Sequence, residues 1–352
     1  MTQPVGSACK VARLLALLGA VAFSPVVCSA QQAGPSTWLL VYAGGPKRLN
    51  YSVNDFVHLI AHVDTAGRPA GWLCTGTIFL EIFAPSGKVF ATWIGGQPAG
   101  GNDWSAYLDT LFDTGGVLRR LDSTVALVSV RAGAPRERFS VAIMIPYPDS
   151  SVSRLDAPWG SYELAGIDGR LKAVDSYINE VLHRFRTGSY AHLNLVGFYW
   201  LRESIADADV LLTNDVAKRI HKLGLRFLWI PYYNAPGTVL WNFIGFDQAW
   251  LQPNYFFHPH VPALRMDSAV ARARSLGLGL EIEFDVRLFT GGEEFSGRLD
   301  PYLHALGQAP DLRRKSVVIF DGAGALLQLS SSKDSVYRAL YSRLATTLMV
   351  EP

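Results

Sequence analysis

Short apolar runs alternate with longer amphipathic stretches along most of this chain. The short runs are almost continuously hydrophobic, which is typical of strands that are buried on both faces of a sheet. The longer stretches repeat apolar residues at helical spacing, as Val174, Ile178 and Val181 do within segment 170–186. The pattern predicts strands at 38–43, 77–83, 140–147, 193–200, 226–233, 246–255, 278–285 and 316–321, and helices at 53–63, 104–121, 170–186, 207–223, 262–276 and 334–348.

This alternation of strands and helices predicts a parallel sheet, and eight strands predict a closed (β/α)8 TIM barrel. The main alternative is an open doubly wound sheet. Such a sheet normally has a glycine-rich phosphate loop after its first strand, which Gly44-Gly45-Pro46 does not resemble. We expect a single catalytic barrel domain over residues 31–352. Segment 124–131 is ambiguous, because its composition also fits an extra strand.

Residues 1–30 have the pattern of a signal peptide. Lys10 and Arg13 precede an apolar run at 14–23, and Ser29-Ala30 fits the site where a signal peptidase cleaves. The run is too short to span a bilayer. We therefore expect an exported protein, periplasmic or secreted, whose mature form has no membrane anchor.

Charge and cysteine content exclude several classes of function. The chain has 32 Lys and Arg against 30 Asp and Glu, and the leader contains two of the basic residues, so the mature chain is formally neutral. A neutral chain has no electrostatic basis for binding nucleic acid or an anionic membrane. Cys74 is the one cysteine that follows the leader, which rules out an intramolecular disulfide in the mature chain. No cofactor or metal motif is found, so we expect neither.

Acidic residues lie at the ends of two of the predicted strands, within the seventh and just after the fourth. Glu281, Glu283 and Asp285 alternate along the seventh strand and therefore share one face. Three carboxylates against apolar helices would be very unfavourable, so that face is expected to line the barrel interior. Glu203 follows the fourth strand, whose end opens at the same mouth of the barrel.

Two carboxyl groups that face each other across a barrel mouth are what the acid/base cleavage of a glycosidic bond requires. Glu203 follows two aromatic residues, and a shielded carboxyl keeps its proton to higher pH, so it is our candidate general acid. Glu283 is the candidate nucleophile or base. Glu281 and Asp285 are the alternates for that second role.

Aromatic, amide and charged residues near the other strand ends are suited to binding sugars, because rings stack on sugar faces and polar groups bind hydroxyls. Arg202 has a second possible role, which is to pair with a barrel carboxylate. The predicted substrate-binding residues are Tyr147, Tyr199, Trp200, Arg202, Tyr232, Tyr233, Asp247, Gln252, Asn254, Tyr255 and Asp321.

Ordered motifs over nearly all of the mature chain resemble a bacterial family that is catalogued as domain of unknown function 4855. They are Gly197-Phe198-Tyr199-Trp200 with Glu203, Ile230-Pro231-Tyr232-Tyr233, Gln252-Pro253-Asn254-Tyr255 and Glu281-Ile282-Glu283-Phe284-Asp285. The resemblance implies an often exported TIM barrel of glycoside-hydrolase type, without an established substrate. By analogy with retaining barrel glycosidases of similar layout, Glu203 would be the acid/base and Glu283 the nucleophile, which favours retention.

The sequence therefore predicts an exported glycoside hydrolase that acts on a polysaccharide or oligosaccharide without a cofactor. Two alternatives remain at this point. One is a non-catalytic polysaccharide-binding barrel that keeps the aromatic platform but does not cleave. The other is a metal-dependent hydrolase or deacetylase that uses Asp247, Asp321 and a histidine.

Overall fold

The computed structural model describes residues 37–349. Eight parallel strands pair in chain order within this range, and the eighth pairs with the first, so the sheet closes into a barrel. Helices flank the sheet, and the predicted (β/α)8 TIM barrel is confirmed. The barrel strands are β1 (Thr37–Tyr42), β2 (Gly76–Leu80), β3 (Phe139–Ile145), β4 (Leu193–Trp200), β5 (Arg226–Trp229), β6 (Gln248–Leu251), β7 (Gly279–Asp285) and β8 (Val317–Gly322).

The helices connect successive strands and cover the outside of the barrel. Within residues 37–349, no helix is both long enough and apolar enough to cross a bilayer. The predicted leader at 1–30 lies outside the described residues. The α-helices are α1 (Val53–Ile60), α2 (Gly101–Phe112), α3 (Val117–Ala132), α4 (Ile167–Gly188), α5 (Val210–Lys222), α6 (Trp241–Ile244), α7 (Arg265–Leu276), α8 (Arg287–Thr290), α9 (Glu293–Ser296), α10 (Asp300–Gly307), α11 (Pro310–Lys315), α12 (Ala325–Ser331) and α13 (Ser335–Leu348).

Two antiparallel hairpins that the pattern did not predict are added to the barrel. They are Ala61–Val63 with Pro69–Trp72, and Arg154–Ala157 with Gly160–Glu163. Their strands have three or four residues, which is too short for a recognisable hydrophobic alternation.

The strand register shows which residues line the barrel interior. Residues paired across parallel strands point to the same face, and Glu281 pairs with Val318, which also pairs with Trp38. Trp38 meets Trp250 of β6 edge to face, with ring centres 5.9 Å apart. These large side chains need small neighbours, and a Cβ on Gly279 would come within 2.4 Å of the Trp250 ring. The deep interior is therefore a packed core, and the space for chemistry lies above it.

Helix termini and amphipathic faces follow the local sequence. Ser52 caps α1: its hydroxyl accepts from the N–H of Asp55, whose carboxylate accepts from the N–H of Ser52. Helix α4 buries Val174, Ile178 and Val181 against the sheet, as the helical spacing predicts.

Segment 104–121 does not form the single helix that the pattern predicts. It contains parts of α2 and α3, which are separated by the turn at 113–116. The extra strand at 124–131 is wrong, because these residues belong to α3. β-branched residues give that segment a strand-like composition, but Leu121, Val125 and Val128 recur at helical spacing and form the buried face.

Strands β5 and β6 are shorter than the predicted 226–233 and 246–255. Pro231 and Pro253 follow closely, and a proline cannot donate to a sheet ladder. The chain after each strand therefore leaves the sheet and turns over the barrel mouth. After β5, the four-residue α6 replaces a full-length outer helix.

Candidate active site

Strand β7 places two buried glutamates on the lumen face. Glu281 and Glu283 are each 2% exposed, and Glu283 lies one layer nearer the mouth. Asp285 ends the strand at the partly exposed rim, where Arg287 pairs with it at 2.9 Å. Its carboxylate also accepts from the backbone N–H of Arg287 at 2.9 Å. The carboxylate of Asp285 is thereby bound by Arg287 at the rim, which argues against its alternate role as the nucleophile.

Glu283 is held by three donors. Its Oε2 accepts from the Tyr302 hydroxyl at 2.7 Å and from the backbone N–H of Tyr255 at 3.3 Å, and the N–H of Asn254 also donates to this carboxylate. Asn254 has a φ of 49°, in the left-handed region that asparagine tolerates. Burial raises the pKa of Glu283 to about 7; the three hydrogen bonds oppose this rise, and the charge of Glu203 adds to it.

Glu281 has no such support, since it accepts no hydrogen bond from the described residues. Burial, followed by the charges of Glu283 and Glu203, raises its pKa well above the usual range for a glutamate. An unsupported buried carboxyl is stable in the neutral form. Burial therefore favours the protonated form of Glu281, which argues against its alternate role as nucleophile or base.

Glu203 follows β4 and is partly exposed at the mouth. Burial raises its pKa, and a hydrogen bond from the Gln252 side chain acts in the opposite direction. The Oε1 of Gln252 in turn accepts from the Asn254 side chain at 3.1 Å. One short segment after β6, Gln252–Tyr255, thus binds both Glu203 and Glu283.

The space between these acids is lined by tyrosines and has no paired cation. Burial and then the charge of Glu203 raise the pKa of both Tyr42 and Tyr199 well above the usual range, so both rings adjoin the same lumen. Among residues 37–349, no lysine or arginine forms an ion pair with Glu203, Glu281 or Glu283. Ionisation of all three carboxyls is therefore unfavourable, and the pKa of each is raised.

Arg202, just before the candidate acid, lies on the rim. Its guanidinium carbon is 4.5 Å from the centre of the Tyr147 ring and 5.9 Å from that of Trp93. Tyr147 donates its hydroxyl to Asp209 at 2.8 Å. The pairing of Arg202 with a lumen carboxylate does not occur, since its nearest acidic partner is Asp209 at 3.5 Å.

The predicted residues of the loops after β5 and β6 lie at the mouth with different degrees of exposure. Tyr232, Tyr233 and Asn254 are partly exposed, while Tyr255 is buried against Tyr302. The backbone N–H of Tyr233 donates to Asn254 Oδ1 at 2.7 Å, which joins the two loops. These contacts make Asn254 and Tyr255 supports for Glu283 more than surfaces for a sugar.

Trp200 and Asp247 were predicted to bind substrate, but neither side chain faces the lumen at the mouth. Trp200 is fully buried on the strand face opposite Tyr199, where it packs against Phe227. Asp247 precedes β6 at the N-terminal end of the barrel strands, opposite the mouth, and accepts from the N–H of Phe227 at 2.7 Å. Neither side chain can reach a substrate in the mouth, so we remove both from the binding set.

Asp321 is also turned away from the lumen. Its carboxylate accepts from the N–H of Leu326 at 2.8 Å and from the Tyr51 hydroxyl at 3.4 Å, and so it faces α12. Burial raises its pKa to about 6. Asp321 therefore accepts from the first turn of α12, and we remove it from the predicted binding set.

The same positions weaken the metal-dependent alternative. Asp247 and Asp321 lie at opposite ends of the barrel strands and cannot share an ion. Between residues 37 and 349, no three His, Cys, Asp or Glu side chains converge as a metal site.

Sequence reasoning missed four residues at or beside the mouth. Glu81, which follows β2, is fully buried and paired with Arg48 at 2.8 Å. Tyr42 ends β1, Tyr302 lies on α10, and Trp93 lies in the loop between β2 and α2. Glu81 and Tyr42 had a usable signal, because each lies at a strand end. Tyr302 and Trp93 had no such signal. A tyrosine on a helix has the same pattern as a core residue, and the position of a loop residue is not fixed by a strand register.

A comparison with protein families matches residues 37–346 to the model described as Domain of unknown function (DUF4855). The chain belongs to the DUF4855 family. No curated protein matches this DUF4855 chain. Among solved structures, a family 18 chitinase from Crocus vernus is 12% identical, with a TM-score of 0.45, and the match covers 89% of this chain and 100% of the chitinase.

A mutant tryptophan synthase alpha-subunit from Pyrococcus furiosus is also 12% identical to the DUF4855 chain, with a TM-score of 0.41, over 89% of this chain and 97% of the other. These similarities are too low to bear on activity.

The Glu281→Gln substitution should raise the melting temperature by several degrees at pH 8 and by less at pH 5. Folding raises the pKa of Glu281 above its value of about 4.3 in the unfolded chain. The contribution of the protonated carboxyl to the free energy of unfolding is therefore complete below about pH 4.3, and it is lost as pH rises towards the pKa of the folded state. Glutamine imitates the neutral acid and does not titrate. Thermal unfolding at both pH values measures the difference, with Glu163→Gln on an exposed hairpin as control. A variant less stable than wild type at both pH values would contradict a neutral Glu281.

Proposed function

We propose that this DUF4855 protein is a glycoside hydrolase, with Glu203 as the acid/base and Glu283 as the nucleophile. The observation that carries the proposal is the segment Gln252–Tyr255, which binds both carboxyls from one side of the lumen. It gives Glu203 one donor and contributes two of the three donors at Glu283. Such unequal support is how two carboxyls in one site take different roles.

The hydrogen-bond donors at Glu203 and Glu283 favour different protonation states for the two carboxyls. Glu203 and Glu283 lie in one lumen without a paired cation, and burial raises the pKa of both. The reactive form has the proton on Glu203, because three donors stabilise negative charge on Glu283. Glu203 is also the more exposed of the two, which suits transfer of a proton to a leaving group and from water.

The reaction would take two balanced steps. Ionised Glu283 attacks the anomeric carbon, the glycosidic C–O bond breaks, and Glu203 gives its proton to the leaving oxygen. Water then enters, Glu203 takes a proton from it, and its oxygen displaces Glu283 from the sugar. The second step returns both carboxyls to their starting states. The carboxylate charge and the absence of a paired cation would stabilise the cationic transition state.

The site of action and the substrate class belong to the same proposal. The leader pattern at 1–30 supports export to the periplasm or the cell exterior. The exposed ring of Trp93 and the partly exposed ring of Tyr232 support a carbohydrate ligand. No protein partner, nucleic acid or cofactor is part of the proposal.

Glu203→Gln and Glu283→Gln should each lower turnover about 10²–10⁴-fold or more, because each removes one half of the proton and bond exchange. The measurement is the release of reducing ends from a panel of pectate, alginate, hyaluronan, xylan and glycol chitin. Glu163→Gln, the same change on an exposed hairpin, should match wild type. On dinitrophenyl glycosides of the released sugar, Glu203→Gln should recover cleavage, because this leaving group needs no proton, whereas Glu283→Gln should not.

Near-normal turnover in either variant would remove that residue from the mechanism. Binding to a polysaccharide without new reducing ends would instead identify a non-catalytic binding barrel.

The released sugar should keep the anomeric configuration that it had in the substrate, because two displacements at one carbon restore it. Proton NMR of the first product, recorded before mutarotation, reads this directly. An inverted product would show that water attacks in a single step and that Glu283 is a base.

A further inference from the structure

Arg202 differs from the other arginines beside the mouth. Its nearest carboxylate oxygen is Asp209 Oδ2 at 3.5 Å, and its buried Nε has no hydrogen-bond partner among the described residues. Three others form close ion pairs: Arg48 with Glu81 at 2.8 Å, Arg170 with Asp209 at 2.9 Å and Arg287 with Asp285 at 2.9 Å. A buried N–H without an acceptor is unfavourable and needs an explanation.

The neighbouring acids are engaged by donors other than Arg202. Asp209 has both oxygens engaged, one by Arg170 and one by the Tyr147 hydroxyl. Asp149 accepts from the Thr92 hydroxyl and from the backbone N–H of Ser151. The guanidinium therefore keeps donors for a group that comes from outside the protein.

An aromatic surface adjoins these donors. Trp93 is 38% exposed, and its ring meets Tyr147 edge to face with centres 6.2 Å apart. The guanidinium of Arg202 lies over both rings, which fixes its orientation. An exposed indole face beside free polar donors is the combination that binds a sugar ring and one of its substituents.

We propose that Trp93, Tyr147 and Arg202 form a subsite for a sugar that carries a carboxylate, next to the bond that is cleaved. The planar guanidinium can bind a carboxylate with two parallel hydrogen bonds, which a neutral hydroxyl cannot match. Arg202 directly precedes Glu203, so the acidic sugar would adjoin the proton donor. This inference rests on the proposed function and narrows its substrate class to acidic polysaccharides.

Affinity electrophoresis tests the subsite with matched probes. Pectate, alginate and hyaluronan are each compared with their carboxyl-reduced form, which has the same chain without the charge, and chondroitin sulfate and dextran sulfate report on sulfate groups. The full chain should bind at least one acidic polymer about tenfold or more tightly than its reduced form. Arg202→Met keeps an unbranched side chain without the charge and should abolish this preference, whereas Arg202→Lys should keep part of it.

Arg287→Met is the matched control, because Arg287 also stacks on aromatic rings at the mouth but is paired with Asp285. It should leave the preference unchanged. Equal binding of acidic and reduced polymers by wild type would overturn the proposal. So would a preference that survives in Arg202→Met, or binding confined to sulfated polymers.

The same variants separate this inference from the hydrolase itself. Cleavage of neutral polymers that depends on Glu203 and Glu283 would keep the hydrolase and overturn the acidic subsite. Binding of acidic polymers that depends on Arg202, without any Glu-dependent reducing ends, would keep the subsite and overturn the hydrolase.

Discussion

Three carboxyl groups share one barrel lumen without a paired cation, and the rest of the site depends on that constraint. Burial makes ionisation of Glu281, Glu283 and Glu203 unfavourable, and each charge that does form opposes the next. The lumen therefore holds protons that an exposed cluster of acids would lose. A site of this kind can deliver a proton and stabilise a developing cation in the same space, which are the two requirements of glycoside cleavage.

The segment Gln252–Tyr255 gives Glu203 and Glu283 different numbers of hydrogen-bond donors and so favours different roles for them. It follows a strand of four residues, and Pro253 prevents the ladder from continuing. Asn254 adopts a left-handed conformation, and two successive backbone N–H groups donate to Glu283 while the Gln252 side chain donates to Glu203. A regular strand would point successive N–H groups in opposite directions and could not do this. The site is thus built where the barrel departs from regular geometry.

The features that the sequence predicted correctly are those set by a repeated pattern of apolar and polar residues. Continuous apolar runs gave the eight strands, and the alternation of acids along β7 gave their shared face. The sequence did not predict contacts made between distant segments, such as the hydroxyl of Tyr302 on Glu283, because a tyrosine at a helical spacing has the same pattern whether it packs or donates. The orientation of Trp200 was also missed. It ends β4 beside the mouth, yet its strand face is set by the register with β3, which no local pattern encodes.

The most direct test of the account is a carbon-13 NMR titration of the glutamate carboxyls, assigned with the three Glu→Gln variants. Glu203, Glu281 and Glu283 should all ionise at higher pH than the exposed glutamates, which titrate near pH 4.3. Glu281 should be the last of the three, because it has no hydrogen-bond donor. Ionisation of Glu281 together with the exposed glutamates would contradict the shared, proton-holding lumen on which the proposed chemistry rests.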